Sequence, residues 1–399
     1  MALVTPDLAL GVSGGGTGAM TAFLYRVLMD SGRYRPDVIS LATSSLDSTS
    51  VCIRKPNTWF QGPRTREARW RDVPFCHVGA FLSEFEFQRY RPRPLLNDIF
   101  RKYDLIQFVV GFPCWVCVAC EVDTPVVLWT ATTLMPDRIN RLHEIRGPRG
   151  LWFKAMTRIS SRYEDRAIRK AHTVFALSSY TFNLIKGKDP SANLHMATCG
   201  IDTEFYRPSP KEEQGKGYIL SVGRFSDPRK NVELLLEAYV LLADRRVSIP
   251  DLYLVGDPPL NEWFSDGLMK GIREKIRFLG PKQGEELASL YREASFFVLP
   301  SDEEGLGIVV LEAMSSGLPI VSTSCGGPES LVADGENGFL VPIRDPGAMV
   351  GAMDKLLDDS ELRGRMGRAG RKAAEERFSM NVAGEIFLKK FDEIIDGAI

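Results

Sequence analysis

The sequence lacks an apolar run long enough to cross a membrane. Its most hydrophobic stretch, Leu105–Cys120, is about 16 residues long, whereas a spanning helix needs roughly 20. Gly111 and Pro113 also interrupt it. We therefore expect no transmembrane segment.

Metal-binding patterns are missing as well. No Asp-x-Asp pair follows a predicted strand, and the four histidines are scattered, at His77, His143, His172 and His195. No ordered ligand set for a metal ion follows from this sequence. If the protein binds phosphate, we expect arginine, lysine and backbone amides to meet its charge instead of Mg²⁺.

Cysteine is sparse and odd in number, with seven residues and no preceding signal peptide. This usage predicts a reduced, cytosolic compartment. Cys114, Cys117 and Cys120 have a spacing that iron–sulfur sites also use. Because a fourth ligand is missing and the surroundings are apolar, we favour a buried helix for these cysteines.

The formal net charge is only −1, but the two halves of the chain differ. Residues 1–205 contain 26 Lys and Arg against 19 Asp and Glu, which gives +7, and residues 206–399 contain 24 against 32, which gives −8. The positive half is a candidate to meet an anionic partner or an anionic membrane surface; alternatively, its arginines only solvate helix faces. The segment Asn140–Ala171 also has two interpretations. It is either a basic amphipathic helix at a membrane surface or a surface helix with one face in the core. No nucleic-acid motif accompanies the charge.

The carboxyl-terminal half contains regular strand and helix alternation. Five segments have strand character: Tyr218–Val222, Leu252–Val255, Ile276–Leu279, Ser295–Leu299 and Pro319–Thr323. Helical patterns lie between them, including Val232–Ala243 and Ile308–Ser316. This alternation predicts a doubly wound α/β domain. Lys211–Lys216, which is polar and charged, is the predicted linker before it.

One loop of this half has the features of an anion site. It runs from Pro300 to Ile308, between a predicted strand and a predicted helix, and contains Gly305 and Gly307. Helix-terminal amides and the helix dipole favour an anion there, most often phosphate. Glu304 and Glu312 bracket the segment, and carboxylates suit sugar hydroxyls better than phosphate.

Two cations complete this pattern. Arg224 and Lys230 follow the predicted strand Tyr218–Val222. Loops at the carboxyl ends of parallel strands bind ligands in such folds, and two fixed cations there suit a diphosphate. The alternative is a basic surface loop.

The amino-terminal half begins with a similar unit. Asp7–Ser13 is predicted as a strand, Gly14–Gly18 as a glycine-rich turn, and Ala19–Asp30 as an amphipathic helix. The turn lacks the Gly-Lys-Ser/Thr of a P-loop, so it indicates either a nucleotide-sugar loop or a tight first turn. Further strands are predicted at Pro36–Ala42, Tyr103–Val110, Pro125–Thr130 and His172–Leu177, and a long loop at Arg54–Asp72.

Together these residues resemble glycosyltransferase family 4. The resemblance rests on motifs that recur in order through the carboxyl-terminal half: Gly223-Arg224, Arg229-Lys230-Asn231, Leu279-Gly280, Pro300-Ser301, Glu304-Gly-Leu-Gly, Leu311-Glu312-Ala313-Met314, Gly317-Leu-Pro319, Gly326-Gly327-Pro328-Glu329, Asp334-Gly335 and Asn337-Gly338. The amino-terminal half matches more loosely, through its glycine-rich loop and Gly200-Ile201-Asp202.

The resemblance implies an α/β fold of the GT-B type, with two Rossmann-like doubly wound domains facing across a cleft. An acceptor-side domain would span residues 1–208, and a donor domain residues 209–379. The last helix, Val382–Ile395 within residues 380–399, would cross back to the first domain.

The resemblance also implies roles for individual residues. Arg224 and Lys230 would bind the donor diphosphate, together with the amides of Gly305, Leu306 and Gly307. Glu312 would hold the ribose and Glu304 the donor sugar. Gly15 and Gly16 would approach the donor from the other domain.

The implied activity is that of a retaining, metal-independent glycosyltransferase without a cofactor. It would take a UDP- or GDP-linked sugar to an acceptor hydroxyl in glycan, glycolipid or glycoconjugate synthesis. The +7 balance of residues 1–205 fits a lipid-linked or otherwise anionic acceptor at the inner face of a membrane, with small-molecule, protein and polysaccharide acceptors as the alternatives. The alternatives are a GT-B scaffold that binds without turnover and a nucleotide-sugar epimerase.

Two positions depart from the family pattern. Many members carry a histidine after the strand that corresponds to Pro125–Thr130, and this chain has none there. Thr132, Asp137 and His143 are the candidates to replace it. Asp257-Pro258-Pro259 stands where the family has a glycine-rich turn, so we expect a different base pocket.

Overall fold

The computed structural model describes residues 1–8, 16–70, 73–209, 217–258 and 272–397. The chain divides into two compact units. Unit 1 comprises Met1–Cys199 and Ala383–Ile399, and unit 2 comprises Gly200–Val382. The predicted linker Lys211–Lys216 lies outside the described residues.

Unit 1 is built on a sheet of eight described strands. These are β1 Ala2–Pro6, β2 Asp37–Leu41, β3 Thr65–Trp70, β4 Val73–Val78, β5 Ile106–Val110, β6 Val126–Thr130, β7 Thr173–Ala176 and β8 Leu194–Met196. Its helices are α1 Gly16–Ser31, α2 Pro94–Phe100, α3 Leu134–Glu144, α4 Gly147–Lys170 and α5 Ser179–Lys188. The strand order is β3-β4-β2-β1-β5-β6-β7-β8, parallel except for the β3–β4 pair.

The central strands of unit 1 are uniformly apolar because helices cover parallel sheets on both faces. Every residue of β5 and β6 is buried. The core also contains the short 3₁₀ helix Pro113–Ala119, which carries Cys114 and Cys117. The Cys114 thiol donates to the Ser160 carbonyl at 3.3 Å. The predicted buried helix is therefore confirmed for Cys114 and Cys117, whereas Cys120 follows the helix and is only partly buried.

Three predictions for unit 1 are wrong in detail. The first strand is Ala2–Pro6, not Asp7–Ser13, because Asp7 adopts a left-handed φ of 59° that ends the extended chain. Ala9–Ser13 lie outside the described residues. The second half of the predicted loop Arg54–Asp72 forms β3, since its backbone pairs antiparallel with β4. The predicted helix Asn140–Ala171 is two helices, because Gly147 has a φ of 71° and Pro148 follows it.

Unit 2 is built on six described parallel strands. These are β9 Tyr218–Val222, β10 Leu252–Val255, β11 Ile276–Gly280, β12 Ala294–Leu299, β13 Ile320–Thr323 and β14 Gly338–Val341. The helices are α6 Val232–Arg245, α7 Gly284–Glu293, α8 Ile308–Ser315, α9 Pro346–Asp358 and α10 Ser360–Phe378. All five strand predictions and both helix predictions for this half agree with these bounds to within two residues.

The segment before β9 belongs to unit 2 because α8 and α10 hold it. Arg371 of α10 donates to the carbonyl oxygens of Thr203 at 2.7 Å and of Tyr206 at 2.8 Å. Ser315 also donates to the Tyr206 carbonyl, at 2.6 Å. The structure therefore divides the chain between Cys199 and Gly200, where we predicted a boundary after residue 208.

The last helix, α11, spans Met380–Asp396, and its residues from Ala383 onward belong to unit 1. The Phe387 ring lies 4.6 Å from Trp129 and 4.7 Å from Phe175, centroid to centroid. Gly384 has to be glycine, since a Cβ there would lie 2.8 Å from Val27. The predicted return of the final helix to the first domain is confirmed. None of the described helices is both long and apolar enough to span a bilayer.

Candidate functional site

The strand order of unit 2 defines where a ligand would bind. Across the sheet its strands run β11-β10-β9-β12-β13-β14, so the winding reverses between β9 and β12. Neighbouring loops diverge at such a switch point and leave a crevice outside the carboxyl ends of the strands. The two loops here are Gly223–Asn231 and Pro300–Gly307, which are the two loops that carry the predicted site residues.

The loop after β9 has a defined conformation. Asp227 caps the 3₁₀ turn Pro228–Lys230, with its Oδ1 accepting from the Arg229 amide at 3.1 Å. Asn231 follows with a left-handed φ of 40°, and its side chain caps α6 by accepting from the Leu234 amide at 3.3 Å. These caps position Lys230 at the carboxyl end of β9.

Lys230 reaches across the switch point to Glu304. The Lys230 Nζ lies 2.6 Å from Glu304 Oε1, and the two side chains are 19% and 11% exposed. Ser301 also donates to Glu304 Oε1, at 2.7 Å. The predicted diphosphate cation and the predicted sugar carboxylate therefore form one partly buried ion pair.

A glycine turn supports the loop after β12. The Glu304 amide donates to Cys325 O at 2.9 Å, and the Gly327 amide donates to Glu304 O at 2.8 Å. A Cβ on Gly327 would lie 2.4 Å from the Leu306 backbone, so only glycine allows this approach. The turn thus sets the course of the chain from Glu304 to Gly307.

The amino end of α8 receives no side-chain cap. Gly307 stands at the N-cap position with a φ of 86°, a conformation that favours glycine, and no side chain bonds to the helix start. No acidic residue occupies the first turn. Backbone amides and the helix dipole therefore give this end a positive partial charge.

The other charges of the two loops pair with one another. Arg229 contacts Asp227 at 2.8 Å and Glu303 at 3.0 Å. Asp302 accepts from Asn231 Nδ2 at 2.8 Å and from Arg344 at 2.6 Å. These pairs bind the loops together and neutralise two of the acids beside Glu304.

This pairing affects two residues of the Gly223–Asn231 loop, Asp227 and Arg224. Burial raises the pKa of the Asp227 carboxyl, but the hydrogen bonds and charge of Arg229 outweigh burial and lower that pKa to about 2. Arg224 remains 48% exposed, with its guanidinium 3.8 Å from Asp227 Oδ2. Arg224 can therefore turn toward an incoming anion at little cost.

Glu312 lies in α8 and has different partners from Glu304. Its carboxylate accepts from the Tyr206 hydroxyl at 3.2 Å and from the Tyr291 hydroxyl at 2.8 Å. Tyr291 is fully buried, and burial followed by the Glu312 charge raises its pKa well above the usual value. Tyr291 therefore stays a neutral donor that orients the carboxylate. Sequence reasoning missed both tyrosines, because only the packing of α7 and of the segment before β9 brings them to α8.

The pocket expected for a base is only partly described. Gly256, after β10, has a φ of 135°, and a Cβ on it would lie 1.8 Å from the Gly223 carbonyl oxygen. Asp257 accepts from Ser226 Oγ at 3.5 Å. Pro259, the last residue of the predicted departure from the family turn, lies outside the described residues.

The other predicted residues belong to unit 1. Gly15 lies outside the described residues, and Gly16 is the first residue of α1, with open space where a Cβ would be. Thr132 is buried after β6, where its amide donates to Gly111 O at 2.8 Å. Asp137 is in the first turn of α3, and the His143 side chain is outside the described part of the chain.

A switch point of a doubly wound sheet that carries a Lys–Glu pair and an uncapped helix end can bind an anionic ligand such as a diphosphate. Residues 202–373 match the family model described as "Glycosyl transferases group 1". The chain is 34% identical over 194 residues to D-inositol 3-phosphate glycosyltransferase of Streptomyces avermitilis. The aligned region covers 44% of this chain and 42% of that protein. The chain thus matches less than half the length of this relative.

Solved structures share the whole fold. Sucrose-phosphate synthase of Thermosynechococcus elongatus superposes with a TM-score of 0.74 at 19% identity, covering all of both chains. HepE of Anabaena, solved with UDP-glucose, gives a TM-score of 0.68 at 18% identity, covering 98% of this chain and all of HepE. At these identities the likeness shows the fold alone, and that fold is the predicted GT-B type with two Rossmann-like units.

Proposed function

We propose that the protein is a glycosyltransferase that moves a sugar from a nucleotide-diphosphate sugar to an acceptor hydroxyl. One observation carries the proposal: Lys230 and Glu304 meet, 2.6 Å apart, beside the uncapped start of α8 at the switch point of unit 2. A cation and helix amides suit a diphosphate, while a carboxylate suits sugar hydroxyls. The group 1 match over residues 202–373 supports the same activity.

In this proposal each residue has one task. Lys230 and Arg224 bind the diphosphate with the amides of Gly305, Leu306 and Gly307. Glu304 orients the donor sugar, and Glu312 holds the ribose hydroxyls. The Tyr206 and Tyr291 hydroxyls at 3.2 and 2.8 Å support this role for Glu312, because they hold its carboxylate in one orientation.

The donor is a UDP- or GDP-linked sugar. The UDP-glucose complex of HepE, which has the same fold, is consistent with a uridine donor. The pairing of Asp302 and Glu303 with Arg344 and Arg229 also supports an anionic ligand, since it removes most of the repulsion from these acids.

The transfer is retaining and needs no metal ion. The bond between the anomeric carbon and the diphosphate oxygen breaks, and the acceptor oxygen bonds to that carbon on the same face. The departing phosphate oxygen takes the acceptor proton. Lys230, Arg224 and the α8 amides stabilise the charge that develops on the diphosphate, the kind of electrostatic effect that dominates many such reactions. No protein nucleophile takes part, in contrast to retaining glycosidases.

The acceptor is lipid-linked or otherwise anionic. The +7 balance of residues 1–205 supports this, because that half carries the excess of cations.

A donor screen tests the proposed function. The protein is incubated with UDP- and GDP-linked sugars, and release of nucleoside diphosphate is followed. Slow hydrolysis of one donor, absent in Lys230→Met and Glu304→Gln, is the expected result. Interconversion of sugars without release would indicate an epimerase, and binding without either reaction would indicate a scaffold; both outcomes contradict the proposal.

A further inference from the structure

A loop of unit 1 holds two aromatic side chains in solvent. Thr58 Oγ1 accepts from the Cys52 amide at 3.1 Å and donates to Lys55 O at 2.7 Å. The Trp59 indole donates to Cys52 O at 2.9 Å. These bonds fix the loop, yet Phe60 at its tip is 95% exposed and Trp59 is half exposed. An ordered loop that holds a phenylalanine ring in water is unusual unless the ring contacts another molecule.

A second apolar group adjoins the first. Leu151, near the start of α4, is 70% exposed, and Trp152 beside it is half exposed. The Trp152 ring packs 5.6 Å from the ring of Phe85. The neighbouring Glu84 accepts from the Ile53 amide at 3.0 Å, which joins this group to the loop that carries Phe60. These contacts link the two groups within unit 1.

The charges in the first part of α4 have one sign. Residues 145–163 contain five Lys and Arg and no Asp or Glu. Arg146, Arg149, Lys154 and Arg158 are exposed on α4 or just before it. Of the two acids beside Phe85, Glu86 is partly buried and paired with Arg138, and Glu84 accepts from the Ile53 amide. Between Gly147 and Tyr163 the cations of α4 thus have no carboxylate neighbours in sequence, and the two acids of this helix, Glu164 and Asp165, follow that stretch.

A groove opens where α3 meets α4. Its volume is about 420 Å³, and its apolar walls come from Leu142, Ile145 and Leu151. Arg146 and Lys154 stand at the same groove. Apolar walls with cations beside them match the phosphate and upper acyl region of an anionic lipid.

We propose that this surface, formed by Ile53, Trp59, Phe60, Leu151 and Trp152 with the cations of α4, docks on an anionic lipid bilayer. Trp59, Phe60 and Leu151 enter the boundary between headgroups and acyl chains, and the cations meet lipid phosphates. A protruding phenylalanine needs a matching pocket on a protein partner, whereas a bilayer accepts it without one. The inference goes beyond the proposed transfer and does not depend on donor turnover.

Vesicle sedimentation tests the docking. The full chain is mixed at low salt with vesicles of phosphatidylcholine alone or of phosphatidylcholine with phosphatidylserine. We expect binding only to the anionic vesicles, and its loss at high salt. Arg149→Ala with Arg158→Ala should weaken binding by about fivefold for each cation removed. Phe60→Ser should weaken it by about tenfold, since the ring no longer leaves water.

Matched changes on unit 2 serve as controls. Arg365→Ala with Arg368→Ala removes two exposed cations of α10, and Val247→Ser removes an exposed apolar side chain. Both control variants should bind vesicles as the unchanged protein does. Nucleotide binding, measured on the same samples, separates loss of docking from loss of the donor site.

Three results would overturn the docking. One is no binding to anionic vesicles at low salt. Another is binding that the Phe60 and α4 variants leave unchanged while the unit 2 controls reduce it. The third is a dimer in solution that Phe60→Ser dissociates, which would assign the surface to a second copy of the chain.

Discussion

Replacing Lys230 by methionine tests the diphosphate site most directly. The Lys230 ammonium is 19% exposed and lies 2.6 Å from Glu304, so the site is partly shielded from water. Opposite charges about 4 Å apart attract by about 4 kcal/mol at an effective dielectric constant of about 20. After allowance for screening and for the remaining Arg224, we expect nucleoside-diphosphate affinity to fall by about 2–3 kcal/mol, or about 30- to 150-fold.

The variant also leaves the Glu304 carboxylate without its cation. That carboxylate keeps its bond from Ser301 at 2.7 Å, so it stays in the site and repels phosphate. Adding Glu304→Gln to Lys230→Met should therefore restore part of the nucleotide affinity, by about tenfold, without restoring transfer. The two single changes and the double change form a cycle that measures this coupling.

Isothermal titration with the nucleoside diphosphate and with the bare nucleoside is the assay. Only diphosphate binding should weaken in Lys230→Met, because the nucleoside carries no phosphate to lose contact with. Lys282→Met is the matched control and should bind as the unchanged protein does. Lys282 precedes α7 and lies 3.5 Å from Glu286. Diphosphate affinity within twofold of the unchanged protein in Lys230→Met would refute the assignment.

Three further changes test the surroundings of the site. Glu312→Ala should weaken nucleotide binding by about tenfold through loss of the ribose acceptor, whereas unchanged binding with slower transfer would move Glu312 to the sugar. Gly327→Ala should lower the unfolding free energy by more than about 2 kcal/mol, because its Cβ would meet the Leu306 backbone at 2.4 Å. Gly351→Ala in α9, with nothing within 4 Å, should be neutral or stabilising, and equal melting temperatures for the two variants would contradict this reasoning. Asp227 ionises with a pKa of about 2 in the fold against 3.8 in the unfolded chain, so its pairing contributes about 2 kcal/mol above pH 3.8 that is lost as pH falls toward 2. Asp227→Asn should remove this contribution, and acid unfolding at an unchanged pH would disprove it.

The donor half was predictable from local signals. Apolar runs bounded by glycine and proline located its strands, and Gly307 and Gly317 marked the ends of α8. The pattern Glu304-Gly-Leu-Gly placed a carboxylate and a glycine cap at one helix start. Such features depend on neighbours in sequence, since turn and cap chemistry is local.

The amino-terminal half was harder because its signals are long-range. β3 is polar and has four exposed residues, so no alternation distinguishes it from a loop. Its extended form depends on pairing with β4, which the sequence does not display. Likewise, Asp7–Ser13 has the composition of a strand, but the register with β2 and β5 ends the strand at Pro6.

The sequence by itself predicted the doubly wound character of both halves, the residues of the proposed donor site and the return of the last helix. The tertiary structure alone decided which of those residues meet. Lys230 and Glu304 are 74 positions apart and become partners only because β9 and β12 are adjacent in the sheet. Tyr206 is 106 positions from Glu312 and orients it only because α10 binds the segment before β9. Contacts between distant residues follow from strand order and helix packing, and no local pattern contains that information.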